Sequence, residues 1–219
     1  MADESHVLPG ASPFMSDIDF ASLLCSRLCH DLLSPVGAMT NGLELLADED
    51  DPEMRERVME LLADSARASA DRLKFFRLAF GAGGGFGESL NTDEVRTAVE
   101  GLVRANPRIE LGWLVEAPAI PKGVAKILLN LAMIGFDALV RGGRLDVGVE
   151  GGEVVVRAEG PRVVLDAEIR SVLAGGPGAV TSRTSAAWLI RKLAEGEGGS
   201  VAVADSEQGV LLLAATLPG

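Results

Sequence analysis

The sequence predicts an α+β protein in which an antiparallel pair of long helices precedes a sandwich of β-hairpins and helices. Two observations support this fold class. Between residues 16 and 80, apolar side chains recur at steps of three and four, which is the spacing of buried helix faces. Beyond a run with five glycines in seven residues, helical segments mix with paired segments of alternating polarity joined by glycine turns. That mixture is typical of a mainly antiparallel sheet with helices on one face.

Composition limits the classes of function. The chain has 219 residues, 47% of them hydrophobic, which suits one or two domains with a sizeable core. No apolar run reaches the roughly 20 residues of a membrane span, and residues 1–16 lack the pattern of a signal peptide. We therefore expect a cytoplasmic protein without a membrane partner. The net charge of −12 argues against a nucleic-acid partner, because binding phosphates needs a basic surface, and it favours protein partners.

The first helix is expected to follow a disordered tail. Residues 1–15 mix Gly, Pro, Ser and acidic residues without periodicity, as disordered segments do. Ser16 and Asp19 then match the serine-x-x-acid capping pattern, which predicts a helix from about Asp17 to Ala47. One apolar stripe runs along this helix and comprises Leu24, Leu28, Leu32, Val36, Met39, Leu43 and Leu46.

The second helix is expected from Pro52 to about Phe80. The acidic segment 48–51 turns the chain ahead of it, and Pro52 suits a first helical turn. Two helices cannot cover each other's apolar faces completely, whereas a second copy of the hairpin would complete a four-helix bundle. We therefore expect residues 16–80 to form a homodimer. A monomer whose second domain covers the hairpin is an alternative that patterning alone leaves open.

The rest of the chain is expected to form a second domain. Residues 81–88 predict a flexible glycine-rich linker, because no G-x-x-x-x-G-K-S/T pattern of a phosphate-binding loop follows the glycines. Residues 89–219 then contain the elements of the sandwich. Helices are expected at 91–105, 122–140, 166–174 and 184–193, and strands at 109–115, 144–150, 153–158, 200–204 and 210–217.

His30 is the candidate for chemistry, because it lies off the apolar stripe of the first helix. Pro35 costs roughly 3 kcal/mol in a helix interior, and Gly37 and Gly42 cost about 1 kcal/mol each relative to alanine, so stability alone explains this segment poorly. Small residues beside an accessible ring would let another protein's backbone approach, although the glycines could instead admit a neighbouring helix of the same chain. At about 100° per residue, the side chains that share a face with His30 are Ser26, Arg27, Ser34, Gly37 and Asn41.

The only two cysteines, Cys25 and Cys29, lie four residues apart on the same helix. We expect them to pack as small hydrophobic side chains. With only His30 nearby, a metal site would lack ligands, and two cysteines imply no disulfide framework.

The segment from His30 to Pro35 is a histidine-acid-x-x-x-proline box on the first of two paired helices, and it resembles the phospho-acceptor box of sensor histidine kinases. The end of the chain is similar as well. Gly198-Gly199-Ser200-Val201 and Gly209-Val210-Leu211 resemble the closing strands of their ATP-binding domain. The resemblance covers about residues 20–218. It implies a dimerisation and phosphotransfer hairpin followed by a domain with the ATP-binding fold.

The positions that bind the nucleotide in histidine kinases are changed in this chain. Asn130 lies where the family has its asparagine box, but Ile134 takes the place of the metal-chelating asparagine. Ala158 replaces the aspartate that contacts adenine, and Arg162 replaces a glycine of the same motif. Glycine is needed where backbone closely approaches phosphate. The three glycines of that kind correspond to Ser182, Thr184 and Ala186. The resemblance therefore implies a chain that does not use ATP.

A chain that keeps the histidine and loses the nucleotide site resembles the ChpT-type histidine phosphotransferases. That resemblance implies a dimer that relays a phosphoryl group from the receiver domain of a hybrid kinase, through His30, to response regulators. Asp31 would orient the ring. This chain would bind no cofactor or metal, because the receiver brings its own magnesium. The surface that docks the receiver would consist of Ser26, Arg27, Ser34, Gly37 and Asn41, with Arg27 contacting the phosphoryl group.

The chemistry of this relay asks little of the phosphotransferase. Neutral imidazole, which predominates at pH 7, is a nucleophile, and phosphoryl transfer depends mainly on positioning and charge neutralisation. Two other functions are left open by the sequence. One is a pseudokinase that binds receivers without being phosphorylated, and the other, less well supported, is an ATP-dependent histidine kinase.

Overall fold

The computed structural model of this protein describes residues 15–81, 88–176, 178–206 and 209–218. Most of the predicted tail and of the predicted linker lies outside the described residues. So do Pro177, in a turn that the sequence predicts at residues 175–178, and Gln208, in a turn that it predicts at residues 208–209. The described residues confirm the predicted α+β class, with a helical hairpin followed by a mixed sheet and its helices.

The hairpin consists of helix α1 (Asp17–Asp48) and helix α2 (Pro52–Ala79). Both helices begin at side-chain caps, in which Ser16 and Asp51 accept hydrogen bonds from backbone N–H groups two or three residues later. Helix α1 continues through Pro35, although proline has no N–H to donate to the carbonyl group four residues earlier.

The two glycines of α1 have different surroundings. A Cβ at Gly42 would lie 2.9 Å from Leu62 Cδ2 and 3.6 Å from Val58 Cγ1, so this buried glycine lets α2 pack closely. At Gly37, five residues earlier, nothing in the described chain lies within 4 Å of such a Cβ. Gly42 therefore admits a helix of the same chain, whereas Gly37 leaves the backbone of α1 accessible.

Much of the apolar surface of the hairpin is uncovered within one chain. Gly42 is the only fully buried residue of α1, and the second domain covers the stripe only in part, around Leu28. In a monomer, the second domain would therefore cover only a minor part of the apolar surface of the hairpin. The exposed apolar side chains of α1 and α2 include Leu33, Val36, Leu43, Leu45, Met54, Met59, Leu61 and Leu73.

The second domain contains the predicted helices and strands within a few residues, and two further short strands. Its helices are α3 (Thr92–Arg104), α4 (Lys122–Ala138), α5 (Ala167–Leu173) and α6 (Ser185–Gly196). Its strands are β1 (Ser89–Asn91), β2 (Ile109–Leu114), β3 (Ala119–Pro121), β4 (Gly143–Glu150), β5 (Glu153–Glu159), β6 (Ser200–Ser206) and β7 (Val210–Thr216). Strands β1 and β3 form a separate antiparallel pair. Three residues carry too little alternation to be predicted as a strand.

The main sheet has five strands in the order β2-β4-β5-β7-β6. Three of its four pairs are antiparallel, as predicted, but β2 and β4 are parallel. The physical reason is the connection between them, because a helical crossover such as α4 returns the chain to the same edge before the next strand begins. The predicted hairpin of β4 and β5 turns at Gly151 and Gly152, whose φ angles are +55° and +84°.

The core of the second domain lies between the sheet and α4. Alternate residues of β5, namely Val154, Val156 and Ala158, are fully buried, and the opposite face of this strand is half exposed or exposed. Helix α4 is apolar on nearly all sides, yet none of the helices in the described part of the chain is long and apolar enough to span a membrane. Other fully buried members of this core are Ile127, Leu128, Leu131, Leu145, Val147, Leu211 and Leu213.

Contacts near the end of α2 and the start of α1 help to hold the hairpin against the second domain. At the end of α2, Asn130 Nδ2 of α4 donates a hydrogen bond to the carbonyl oxygen of Ala79 at 3.1 Å. Near the start of α1, the ring centroid of Phe20 lies 4.6 Å from that of Trp188 on α6. The start of α1 lies beside the end of α2 in an antiparallel hairpin, so both contacts lie at the same end of the hairpin.

Candidate functional site

His30 projects into solvent from the middle of α1. Its side chain is 86% exposed, and its Nδ1 lies 3.2 Å from Asp31 Oδ1. In the neutral tautomer with the proton on Nδ1, the ring donates this hydrogen bond to the carboxylate. The lone pair then resides on Nε2, on the other side of the ring. This arrangement presents an accessible nitrogen nucleophile whose ring orientation is set by its neighbour.

Asp31 is held between two arginines. Its side chain is 20% exposed, with Oδ2 3.8 Å from Arg27 Nε and 4.0 Å from Arg72 Nη1. Arg27 belongs to α1 and Arg72 to α2, so both helices of the hairpin place a positive charge beside this carboxylate. The same carboxylate accepts the hydrogen bond from the His30 ring.

Arg27 faces the second domain rather than the open side of α1. Its side chain is 14% exposed. Nη1 donates to the carbonyl oxygen of Arg183 at 3.1 Å, and Nη2 lies 3.4 Å from Met133 Sδ and 3.5 Å from Asp137 Oδ2. The buried Nε has no hydrogen-bond partner among the described residues. The guanidinium predicted to contact the phosphoryl group is thus engaged with groups of its own chain.

The other four predicted docking residues lie along the accessible part of α1. Ser26, Ser34 and Asn41 are exposed, and Gly37 is half buried beneath open space. Ser34 and Gly37 are about one and two helical turns beyond His30, and Asn41 is about three. They form a continuous strip beside the ring. Ser34 also borders a groove whose far walls come from α2 and α3.

A cleft beside His30 has its second wall in the second domain. This wall includes Ser182 and Arg183 of the loop that precedes α6. The Arg183 guanidinium is largely exposed, and its Nη1 donates to Asp166 Oδ2 at 3.1 Å. The backbone N–H of Glu168, helped by Arg183, lowers the pKa of Asp166 below its usual value. The Asp166 carboxylate thereby holds the Arg183 guanidinium at the mouth of the cleft.

Asp137 of α4 lines this cleft together with Asp31. The pKa of Asp137 is raised above its usual value, mainly because its carboxyl loses water on burial, although part of the side chain reaches solvent. The neighbouring Arg27 lowers this pKa, and Asp31 raises it. Asp137, Arg72 and Arg183 were not among the site residues predicted from the sequence. No spacing or motif relates these positions to position 30, because only the packing of α2, α4 and a distant loop against α1 brings them there.

Several positions of the lost nucleotide motifs lie in the interior of the second domain, whereas Arg162 is exposed and Ser182 is half buried. Ala158 and Ile134 are buried in the apolar core. Thr184 is also buried, and its hydroxyl donates to the carbonyl oxygen of Ala179 at 3.0 Å. Asn130, which matches the asparagine box, is occupied in joining α4 to α2. Within the described part of the chain, no group of three His, Cys, Asp or Glu residues could hold a metal ion.

The prediction that Cys25 and Cys29 pack in the interior is wrong for the single chain. Both thiols are free and exposed. They lie on a side of α1 that neither α2 nor the second domain covers.

Comparisons with known proteins agree with this architecture. Residues 92–209 match the model of the histidine phosphotransferase C-terminal domain family, which is more than half of the chain. A solved structure of a bacterial phosphotransferase superposes with a TM-score of 0.81 at 31% sequence identity, covering 92% of this chain and 98% of the other. The similarity to a histidine kinase domain from Erythrobacter litoralis is weak, with a TM-score of 0.45 and 10% identity over 84% of this chain and 95% of the other.

A curated relative adds a match in sequence. Protein phosphotransferase ChpT of Brucella abortus (strain 2308) is 43% identical over 137 residues, which are 61% of this chain. The matched region spans 62% of the length of that relative. Together with the family model and the solved structure, this match establishes that the chain belongs to the histidine phosphotransferase family.

Proposed function

We propose that this protein relays phosphoryl groups between receiver domains, with His30 as the carrier. The observation that supports the proposal is the exposed ring whose Nδ1 faces the Asp31 carboxylate at 3.2 Å. Family membership agrees with it, since the curated relative is named a protein phosphotransferase. The donor would be the receiver domain of a hybrid histidine kinase and the acceptors response regulators, so we place the relay in the cytoplasm.

The transfer consists of two displacements at phosphorus. The lone pair of His30 Nε2 attacks the phosphorus of the aspartyl phosphate, forming a P–N bond as the P–O bond to the receiver's aspartate breaks. The receiver's carboxylate leaves with the electron pair. The ring becomes positively charged, and the Asp31 carboxylate stabilises that charge through the hydrogen bond from Nδ1. In the second displacement, a response regulator's carboxylate attacks phosphorus and the imidazole leaves.

The receiver supplies the metal in this scheme, and the present chain supplies the ring and a surface that holds the receiver. Phosphoryl transfer depends mainly on in-line positioning and charge neutralisation, which an acidic magnesium pocket in the receiver provides. Ser26, Ser34, Gly37 and Asn41 form the proposed docking strip. Arg27 was expected there too, but its partners in the second domain favour a role in holding Asp31.

We further propose that the chain does not use ATP. The support is the burial of Ala158 and Ile134. These apolar side chains stand where histidine kinases have the aspartate that contacts adenine and the metal-chelating asparagine. The second domain would then serve to stabilise the hairpin and to form the second wall of the cleft beside His30.

A phosphotransfer assay tests the proposed function. A receiver domain of a hybrid kinase from the same organism, labelled at its aspartate with radioactive acetyl phosphate and freed of excess reagent, is mixed with the full chain. We expect label on this chain that is stable to alkali and labile to acid, as phosphohistidine is. Binding without label would favour the pseudokinase, and label from ATP and magnesium alone would favour the kinase. Either outcome would contradict the proposal.

The uncovered apolar surface of the hairpin supports a homodimer with a four-helix bundle. We expect twice the chain mass by light scattering at high concentration. Leu43→Glu should shift the protein toward the monomer, because this side chain is 62% exposed in one chain and would face the partner helices. Leu114→Glu on β2 is a matched control at 64% exposure and should leave the mass unchanged. A monomeric wild type would refute the bundle.

Gly37 tests the docking strip without harm to the fold. Since a Cβ at Gly37 meets nothing within 4 Å, Gly37→Ala should raise the free energy of unfolding by up to about 1 kcal/mol. If a receiver's backbone packs on this glycine, the same methyl group should raise the KM for the phosphorylated receiver about tenfold with little change in kcat.

Gly123→Ala, on α4, is the control for Gly37→Ala, because nothing lies within 4 Å of a Cβ at that position either. It should leave the KM unaltered. An unchanged KM in Gly37→Ala itself would remove Gly37 from the docking strip.

A further inference from the structure

An unbroken series of charged groups leads from the second domain to His30. Asp137 Oδ2 on α4 lies 3.5 Å from Arg27 Nη2, Arg27 Nε lies 3.8 Å from Asp31 Oδ2, and Asp31 Oδ1 lies 3.2 Å from His30 Nδ1. Each residue in the series faces the next. The series links α4 to the reactive ring across the interface between the two domains.

The second domain occupies both terminal nitrogens of Arg27. Nη1 donates to the carbonyl oxygen of Arg183, while Nη2 is shared between Met133 Sδ and Asp137 Oδ2. Only Nε points toward Asp31, and 3.8 Å is too long for a hydrogen bond. Arg27 therefore attracts the Asp31 carboxylate without taking one of its oxygens. Oδ1 stays available for the ring.

Among these partners, Asp137 is the only one that carries a charge opposite to that of Arg27. Without this carboxylate, the guanidinium would be drawn fully to the nearest remaining anion, which is Asp31. A direct Arg27 to Asp31 hydrogen bond would then compete with the one from His30 Nδ1. The Nδ1–H tautomer, which leaves Nε2 free to attack, would lose its advantage over the Nε2–H tautomer.

We propose that Asp137 is a positioning residue for His30, which acts through Arg27 and Asp31 and does not touch the phosphoryl group. The inference rests on the proposed role of His30 as the carrier. It gives the second domain a part in the chemistry, because a residue of its longest helix decides which nitrogen of a ring on the other domain is free.

The charges around Asp137 agree with this role. Arg27 and Arg72 face it and lower its pKa, Asp31 faces it and raises its pKa, and the loss of water in the cleft raises its pKa most. The two carboxylates and two guanidinium groups form a cluster without net charge between α1, α2 and α4. Neutralising one member therefore redistributes the remaining three charges.

Nuclear magnetic resonance of the His30 ring nitrogens tests the proposal without any transfer reaction. The spectra are recorded on the full chain at a pH where the ring is neutral, with His30→Ala separating its signals from those of His6. We expect the wild type to be mainly the Nδ1–H tautomer. Asp137→Asn should shift the population toward Nε2–H, and Asp31→Asn should do so more strongly. Asp137→Glu, which keeps the charge, should restore most of the wild-type population.

Transfer kinetics give the second readout. Asp137→Asn should lower kcat for transfer from a labelled receiver about fivefold, the effect expected of one partly exposed ion pair, with little change in KM. In the Arg27→Gln background, Asp137→Asn should have no further effect, because the two residues act in series. Asp205→Asn, which breaks the ion pair with Arg170 at 2.6 Å elsewhere in the domain, is the matched control and should change neither readout.

Three results would overturn the proposal. One is an unchanged tautomer population in Asp137→Asn. Another is a raised KM in Asp137→Asn with an unchanged tautomer population of the His30 ring, which would make Asp137 a docking residue. The third is an additive effect of Asp137→Asn in the Arg27→Gln background. An unlabelled wild type would instead refute the proposed function, while the tautomer measurement would still decide whether Asp137 positions the ring.

Discussion

His30→Ala is expected to abolish label transfer from a phosphorylated receiver, with a loss of at least about a thousandfold. The reason is that no other described side chain at the cleft replaces the ring. Asp31 and Asp137 are carboxylates held by arginines, and Ser182 offers a hydroxyl group without a neighbouring base. The assay with radioactive receiver, quenched at times from seconds to minutes, measures the loss.

The fold should survive the removal of His30, so the loss can be assigned to the chemistry. A side chain that is 86% exposed, and whose only hydrogen bond within the described chain is to its neighbour, contributes within about 0.5 kcal/mol to the free energy of unfolding. Thermal unfolding of His30→Ala should therefore match that of the wild type. Cys29→Ser, one residue away, is the activity control for a second exposed nucleophile and should keep its label. Equal label on His30→Ala and the wild type would exclude His30 as the carrier.

Ala158→Asp is expected to destabilise the protein severely and not to create a nucleotide site. Ala158 is fully buried on β5, opposite Leu145 on one neighbouring strand and Leu211 on the other. A carboxyl group placed there finds apolar neighbours, which costs at least about 3 kcal/mol. Thermal unfolding should show a Tm lowered by about 6–12 °C, or no folded protein.

Ala202→Asp is the matched control for this substitution. Ala202 is exposed on the edge strand β6, so the same change of side chain should alter the free energy of unfolding by no more than about 0.5 kcal/mol. Calorimetry with ATP and magnesium should detect no binding to the wild type or to either variant. Micromolar binding to the wild type would contradict the proposal that the chain does not use ATP.

Local sequence patterns were sufficient to predict most of the helices and strands of the fold. The helix cap at Ser16, the proline at the start of α2, the periodicity of the stripe and the turn at Gly151 and Gly152 are short-range signals, and the elements they predict are present. Strands β1 and β3 were missed because they are too short to carry a pattern. The parallel pairing of β2 with β4 was missed because it depends on where the crossover through α4 returns the chain.

For the candidate site, the sequence by itself determined the histidine, its acidic neighbour and the small residues on their face of α1. These are all positions of one helix, and helix geometry relates them without knowledge of the tertiary structure. The different roles of Gly37 and Gly42 were beyond this reasoning, because the difference lies in whether Leu62 of another helix stands over the glycine.

Only the tertiary structure decided what surrounds Asp31. The sequence placed Arg27 on the docking surface because it shares a helix face with His30, but a helix face does not say which of its residues the next domain covers. Packing against α4 and the loop before α6 turns Arg27 toward Asp137 and Arg183, and α2 adds Arg72. Side chains far apart in sequence set the charge beside the ring, and charges interact through space.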